Sequence, residues 1–540
     1  MIRLREASSI EKSVFPQVLA KVSPHEKAAK FYITTAIPYV NASPHIGHAL
    51  EFVQTDVIAR AQRLLGRDVY VTTGADENSL KNVQAAEAKG VSTQQLCDEN
   101  AQLFKDFATR IGLGFNAFIR SSSKDVHWPG VYKLWNLCDK AGDIYKKQYK
   151  GLYCVGCEAF YKENELVDGL CPEHLRRPDV VEEENYFFRL SKYEKQLLKL
   201  IESNEFRIVP NGKREEVLSF IRSGLEDFSI SRSIARAHGW GVPVPGDDSQ
   251  IMYVWFDALS CYLTGVGWGI DEAKFWKWWP ADIHVIGKDI TRFHTVYWPA
   301  MLLSARLPLP REILIHGFVT AEGQKMSKSL GNVVDPAAVT DKYGVDIFRY
   351  YLASEVSSFE DGDYSESRLI EKTNNELIAN FGNFVYRVLS FLKSSFSSTV
   401  PEAGGLLPSD EALLGKVKTA GDEFAKNING RNNQRAFQAV LNLASEGNRY
   451  FQSEKPWETR KTDPLRCATT LNVSTNVARA LAVLVSPFLP FASERLWSQL
   501  GLAGDVHAQS IQGLDALIVK PGQKVGSVEP LFTKIEVKRQ

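Results

Sequence analysis

A strand, a proline-bracketed turn and a long amphipathic helix follow one another between residues 31 and 65, and this succession restricts the fold more than anything else in the chain. Phe31-Tyr-Ile-Thr-Thr-Ala-Ile37 is β-branched and aromatic, Pro38 and Pro44 bracket a turn, and apolar residues then recur at 49, 50, 53, 57, 58, 61, 64 and 65. Gly66 stops this helix as a C-cap, and Asp68-Val-Tyr-Val-Thr-Thr73 reads as the next strand, running into Gly74-Ala-Asp-Glu-Asn78. Such a strand, helix, strand unit requires a parallel sheet. Open parallel sheets bind ligands beyond the carboxyl ends of their strands, so His45, His48 and Asp76 are expected at one crevice.

The turn carries Pro44-His45-Ile46-Gly47-His48, and far along the chain stands Glu322-Gly-Gln-Lys325-Met326-Ser327-Lys328-Ser329-Leu-Gly331. Either segment alone reads as satisfied polar groups or a solvated turn. Together they make an ATP site without a Walker A loop. Histidines at a helix N-terminus add donors to the positive end of the helix dipole, and glycine at 47 admits the nucleotide close to the backbone. Lys325 and Lys328, on a loop flanked by glycines, could close over the triphosphate as charge spreads in the transition state.

With 540 residues and 44% hydrophobic content the chain has room for two to four domains. No run of apolar residues reaches the length of a membrane span, including Phe275-Trp276-Lys277-Trp278-Trp279-Pro280. The 64 basic and 64 acidic residues cancel, so any nucleic-acid contact has to use local patches. Residues 1–30 mix Arg3, Arg5 and Lys12 with Glu6, Glu11 and Glu26 and lack an apolar core. They read as an N-terminal extension, neither a secretory signal nor the acid-poor sequence expected for organelle import, so a cytoplasmic location is expected.

From about residue 145 the texture changes and an inserted segment is expected. Cys154 and Cys157, then Cys171 and His174, form a C-x2-C, a gap of 13 residues and C-x2-H, suited to tetrahedral Zn2+. All four positions would come from protein, so the metal is expected to be structural. Sheet texture returns with Ile251-Met-Tyr-Val-Trp255, Ile283-His-Val-Ile286 and Glu312-Ile-Leu-Ile-His-Gly-Phe-Val319, read as the second half of the same sheet. After about 366 apolar residues recur at helical spacing, as in Leu377, Phe381, Phe384, Val385 and Val388, which fits an all-α bundle. The tail after Leu514 reads as a strand or extended segment packed back on the body. An aromatic and acidic group, Tyr39, Asp76, Trp255, Tyr262, Phe293 and His294, suits a carboxylate for an ammonium group with an apolar wall. Trp255 or Phe293 taken singly reads equally well as core.

These residues resemble the class I aminoacyl-tRNA synthetases, and among them the methionine-specific branch, from about Phe31 to Trp457. The resemblance rests on Pro44-His-Ile-Gly-His48, Gly74-Ala-Asp76-Glu77, the cysteine and histidine knuckle, Tyr253-Val-Trp255-Phe-Asp257-Ala258, Gly287-Lys-Asp289 and Lys325-Met-Ser-Lys-Ser329. It implies an α/β Rossmann-type catalytic domain with an inserted zinc-knuckle subdomain, then an all-α anticodon-binding bundle. The divisions are 31–143 and 226–310 for the catalytic halves, 144–225 for the insertion, 311–365 for the lysine-serine loop region, 366–514 for the bundle and 515–540 for the tail. The implied reaction is activation of L-methionine with ATP and Mg2+ to methionyl adenylate, then transfer to the 3′ end of tRNA(Met).

By position, the resemblance makes Asp76 the partner of the methionine ammonium and places Ile37, Pro38, Tyr39, Trp255, Ala258, Leu259, Tyr262, Ile290, Phe293 and His294 around its side chain. The family commonly has proline in place of Leu259. Gly47, Glu51, Gly287, Asp289 and Val319 match adenosine-holding positions, with His45, His48, Lys325 and Lys328 at the phosphates. Asn383, Arg387 and Trp457 fall where the family reads the anticodon by stacking and base-edge hydrogen bonds. The insertion is too short for the hydrolytic editing domain of the leucyl, isoleucyl and valyl relatives. The rival readings are a cysteinyl-type synthetase, a small nucleotidyltransferase fused to interaction modules, and an RNA-binding scaffold with idle ATP motifs.

Overall fold

The computed structural model describes residues 29–155, 159–161, 163–172, 175–324, 326 and 332–536. Its centre is a six-stranded sheet whose order is Ala117–Arg120, Asp68–Ala75, Lys30–Thr34, Ile283–Gly287, Glu312–His316 and Arg207–Val209. Every neighbouring pair in it is parallel. Side chains alternate between two cores, as a sheet covered on both faces requires: Phe31 and Ile33 enter one, Tyr32 the other, and likewise Val69 and Val71 against Tyr70. The strand order reverses between Lys30–Thr34 and Ile283–Gly287, where the chain's first and later strands meet. That is the switch point at which such sheets leave a crevice.

The helix expected after the first turn runs Ile46–Leu64. Its last cap is Leu65 instead of Gly66, and Gly66 follows with φ of +83°, a conformation that favours glycine. The Ile251–Trp255 segment is not a strand of the main sheet. Asp247–Met252 instead pairs antiparallel in a small three-stranded sheet, and Val254–Ala258 is helical. Apolar character was common to both arrangements, and the partner strands decide between them. Conversely, Arg207–Val209, within the stretch read as insertion, pairs with Glu312–Leu314 at the edge of the main sheet.

Residues 144–188 form the bulk of an antiparallel sheet in the order Ala159–Tyr161, Ile144–Cys154, Asp179–Phe188, Phe228–Ser229. Beyond Gly362–Tyr364 the chain is helical through Pro490–Gln499. The tail is a succession of turns and irregular chain, without a named strand among its described residues, and it packs on the body: Leu514, Val519, Val525, Leu531 and Phe532 are buried, and Ile535 N donates to Asn374 Oδ1 at 2.9 Å.

A buried ion pair ties the catalytic body to the bundle. Arg349, on the helix Val345–Ser354, donates to Asp56 Oδ2 at 2.7 Å and to the carbonyls of Ile111, Pro487 and Phe488 at 2.7–3.0 Å. Asp56 lies on the same helix that begins at the His45 turn.

Candidate active site

His45 is the N-cap of the Ile46–Leu64 helix, in extended conformation, and no acidic residue occupies the first turn. The positive end of the helix is thereby left for an anion. Gly47 N–H donates to His45 Nδ1, and His45 N–H donates to His48 Nδ1, both at 3.1 Å. The two rings stack with centroids 3.7 Å apart, and His48 meets the Phe104 ring edge-on at 5.0 Å. A Cβ on residue 47 would come within 2.9 Å of His45 Cε1, so glycine lets the ring fold back over the helix start.

Because both Nδ1 atoms accept from backbone, each neutral ring carries its proton on Nε2. Burial lowers the pKa of His45, and burial together with the charges of His45 and His316 lowers that of His48 well below the usual histidine range. The pair is therefore two neutral Nε2–H donors held in fixed tautomers. One helical turn on, Glu51 accepts from Ala36 N–H at 2.8 Å and from His316 Nε2 at 3.1 Å. His316 Nδ1 faces the Gly317 carbonyl at 2.8 Å, so both its nitrogens meet acceptors. Burial opposes the imidazolium, but the hydrogen bond and charge of Glu51 outweigh it and raise the pKa of His316.

Across the switch point Gly287 ends its strand. A Cβ there would lie 2.8 Å from Asp289 Oδ1, which explains the glycine beside the exposed Asp289. Val319 is buried at the start of the short strand Val319–Ala321, and the neighbouring Phe318 N–H and Lys288 Nζ both reach Asp361.

The aromatic group assembles as a pocket wall. Trp255 and Phe293 stack face to face at 3.9 Å, while Tyr39 and His294 approach Trp255 edge-on at 6.3 and 6.0 Å. Tyr262 OH lies 2.7 Å from His294 Nε2, and His294 Nδ1 lies 3.0 Å from the Ile290 carbonyl. A carbonyl only accepts, so His294 is protonated on Nδ1 and takes the tyrosine's hydrogen on Nε2. Burial depresses the His294 pKa to about 4, which keeps it in that neutral form. Ala258 and Leu259 are buried on and just after the short helix of Trp255, while Ile37, Pro38, Tyr39, Ile290 and Phe293 are only partly covered. Asp76 is buried, its N–H donates to the Pro38 carbonyl at 2.8 Å, and it pairs with Tyr39 in a parallel bridge. The first strand's exit and the second strand's end thus bring the carboxylate to the aromatic wall.

Lys325 and Lys328 lie outside the described residues; Met326, between them, is half-buried against the main core. Cys157 and His174 likewise lie outside. Cys154 is buried at the end of a hairpin strand and Cys171 is buried in a turn, and among the described residues no cluster of three or more metal-type ligands occurs. Asn383, Arg387 and Trp457 come together on the bundle, away from the sheet. Arg387 covers the rings of Phe451 and Trp457 at 5.1 and 5.9 Å and donates to Gln452 at 3.0 Å, and Asn383 donates to Asn448 at 3.3 Å. Trp457, 39% exposed, lines a depression of about 380 Å³ with Phe391, Arg460 and Lys461.

Sequence reasoning missed His316, whose signal was a lone histidine directly after the apolar run Ile313–Ile315. It also gave no role to Asn78 and Asp257, although Asp257 stood inside a recognised motif and Asn78 directly after one.

A parallel sheet with a dipole-backed histidine pair at its switch point, and a buried carboxylate beside a cluster of aromatic rings, has the features of the catalytic core of a class I aminoacyl-tRNA synthetase. Comparison with known proteins agrees. The family model "tRNA synthetases class I (M)" matches residues 31–178 and 174–389, and that described as "Anticodon binding domain of methionyl tRNA ligase" matches 400–540. The methionine–tRNA ligase of Brucella suis is 42% identical over 480 residues, covering 88% of this chain and 92% of its own. That of Thermotoga maritima is 38% identical over 514 residues, covering 94% and 81%. The Mycobacterium tuberculosis methionyl-tRNA synthetase, solved in complex with methionyl-adenylate, superposes with a TM-score of 0.89 at 40% identity over 93% of this chain and 99% of its own. The chain belongs to the methionyl branch of the class I aminoacyl-tRNA synthetases, enzymes that activate methionine with ATP and charge tRNA.

Proposed function

We propose a division of that work among the residues of this chain, carried chiefly by one observation: two neutral imidazoles that cap each other through Nδ1 and are locked as Nε2–H donors at a helix N-terminus free of acidic residues. A methionine carboxylate oxygen attacks the α-phosphorus of ATP; the bond to the bridging oxygen of the β-phosphate breaks, and pyrophosphate leaves. His45 and His48 donate to the phosphate oxygens, and Lys325 and Lys328 close on the triphosphate as charge builds toward pyrophosphate. Mg2+ would neutralise the remaining phosphate charge. Gly47, Glu51, Gly287, Asp289 and Val319 hold adenosine. A hydroxyl of the terminal tRNA ribose then attacks the methionyl carbonyl carbon, and AMP departs.

Asp76 pairs with the methionine ammonium, and the thioether lies among Tyr39, Trp255, Tyr262, Phe293 and His294, with Ile37, Pro38, Ala258, Leu259 and Ile290 closing the wall. A polarisable sulfur suits such rings. Trp255→Ala removes the face that Phe293 stacks on, and the Michaelis constant for methionine is expected to rise by at least about tenfold. An unaltered constant in steady-state exchange kinetics would place the ring outside the pocket.

Asn383, Arg387 and Trp457 read the anticodon. An exposed tryptophan under a guanidinium offers a stacking platform, and loss of base stacking costs about 1–3 kcal/mol. Trp457→Ala should therefore lower tRNA charging roughly ten- to hundredfold at subsaturating tRNA while leaving tRNA-independent ATP–pyrophosphate exchange unchanged.

Cys154, Cys157, Cys171 and His174 would hold a structural Zn2+. The two cysteines within the described residues fit this reading, since both are buried at turns and neither is in a disulfide. A closed four-ligand site gives the metal a folding role and no part in the reaction. Native protein is expected to carry about one zinc per chain, and Cys154→Ser to lose it and destabilise the insertion. Metal-free protein of unchanged thermal stability would refute this. The cytoplasm, with reduced thiols, is the compartment this donor set suits.

A further inference from the structure

Asp76, proposed above as the ammonium partner, begins a short segment that is anchored on two sides. On one, Glu77 N–H donates to Ser121 Oγ at 2.8 Å, and the Glu77 carboxylate accepts from Arg120 Nε at 2.6 Å and from Ser122. On the other stands Asn78. Its Nδ2 donates to the Ser121 carbonyl and to Asp257 Oδ2, each at 3.1 Å, so both amide hydrogens are used. Its backbone N–H reaches Asp76 Oδ1 at 3.3 Å, and Asn82 Nδ2 holds the Asp76 carbonyl at 3.1 Å.

Asp257 is fully buried, yet its Oδ1 has no hydrogen-bond partner among the described residues; His127 Nε2 stands 3.8 Å away, beyond bonding distance. The His127 ring is oriented by Thr264, whose Oγ1 lies 3.0 Å from Nδ1. Burying a carboxylate with one oxygen unbonded is costly, and packing alone would favour an apolar residue. What the carboxylate supplies is the acceptor that fixes Asn78. It does so from the helix Val254–Ala258, the same five residues that present Trp255 and Ala258 to the pocket.

We propose that Asn78 and Asp257 are positioning residues that lock the amino-group end of the methionine site to its side-chain wall, so that the Asp76 carboxylate is aimed at the substrate ammonium before methionine arrives. The proposal rests on the assignment of Asp76 to that ammonium. It concerns hydrogen bonding, not charge. It also separates binding of the amino group from binding of the thioether.

The test compares equilibrium binding of methionine with that of 4-(methylthio)butanoate, which keeps the thioether and carboxylate but lacks the amine. Asp257→Ala and Asn78→Ser should weaken methionine by at least about tenfold, the worth of one well-placed buried hydrogen bond, and leave the analogue and the Michaelis constant for ATP within about threefold. Asp257→Asn keeps an acceptor for Asn78 and should bind methionine within about threefold of the parent, which also covers the case that Asp257→Ala does not fold. Equal weakening of methionine and the analogue, or no weakening in folded Asn78→Ser protein, overturns the proposal. Asp76→Asn separates the two layers. Weaker methionine binding in Asp76→Asn but not in the other variants removes the positioning role alone, whereas no effect of Asp76→Asn removes the ammonium assignment and the positioning role with it.

Discussion

His48→Ala is expected to slow methionine-dependent ATP–pyrophosphate exchange by about 10²–10³, the usual cost of deleting one preorganised donor to a developing charge. The tautomer decides which nitrogen is available. His48 Nδ1 is occupied by the His45 N–H, and burial beside His45 and His316 disfavours its protonation, so Nε2–H is the group left to offer. Alanine deletes that donor and also one half of the reciprocal capping between residues 45 and 48. Glutamine can place an amide N–H near the Nε2 position, so His48→Gln should recover part of the rate. The loss should fall on the rate of activation more than on methionine binding. If His48→Ala exchanged at the parental rate, the histidine pair would be a helix cap and nothing more.

Arg349→Met is expected to destabilise the folded protein by about 3–5 kcal/mol, the range for breaking a buried ion pair by removing one partner. Burial opposes ionisation of Asp56, but the charges of Arg60 and Arg349 outweigh it and hold the pKa low. Arg60 and Gly114 N–H would still bond Asp56 in the variant, at 2.7 and 3.0 Å. The carbonyls of Ile111, Pro487 and Phe488 would each lose a donor in a buried joint. Those carbonyls belong to both sides of the junction, so the variant should unfold with the bundle parting from the catalytic body first. Chemical denaturation followed by tryptophan fluorescence measures this. A change below about 1 kcal/mol would mean that the joint rests on apolar packing and not on Arg349.

The sequence was most informative where neighbours in the chain are neighbours in space. Pro44 to His48 reads correctly because the turn, the cap and the helix are local, and a single helix start carries the chemistry. The Lys30–Thr34 and Asp68–Ala75 strands read correctly because one amphipathic helix joins them. Pairings across long separations were not legible. Arg207–Val209 is only three residues long and finds its partner about a hundred residues later, so nothing local marks it as part of the main sheet. Asp247–Met252 has the apolar end expected of a buried strand, yet its partners are the short segments beside it. The same limit hid the positioning groups. Asn78 and Asp257 are 179 residues apart and meet only through the fold, and Glu51 and His316 are 265 apart. Polar residues inside apolar motifs were the available clue, and their partners had to come from the fold.

The most direct test of the account is ATP–pyrophosphate exchange measured without tRNA for each of the twenty amino acids in turn. The proposed crevice should support exchange with methionine and with no other at comparable concentration, since it would join the histidine pair proposed for adenylate formation to the aromatic cluster proposed for the thioether. Exchange driven by a different amino acid would contradict the pocket, and no exchange from folded protein would contradict the site as a whole.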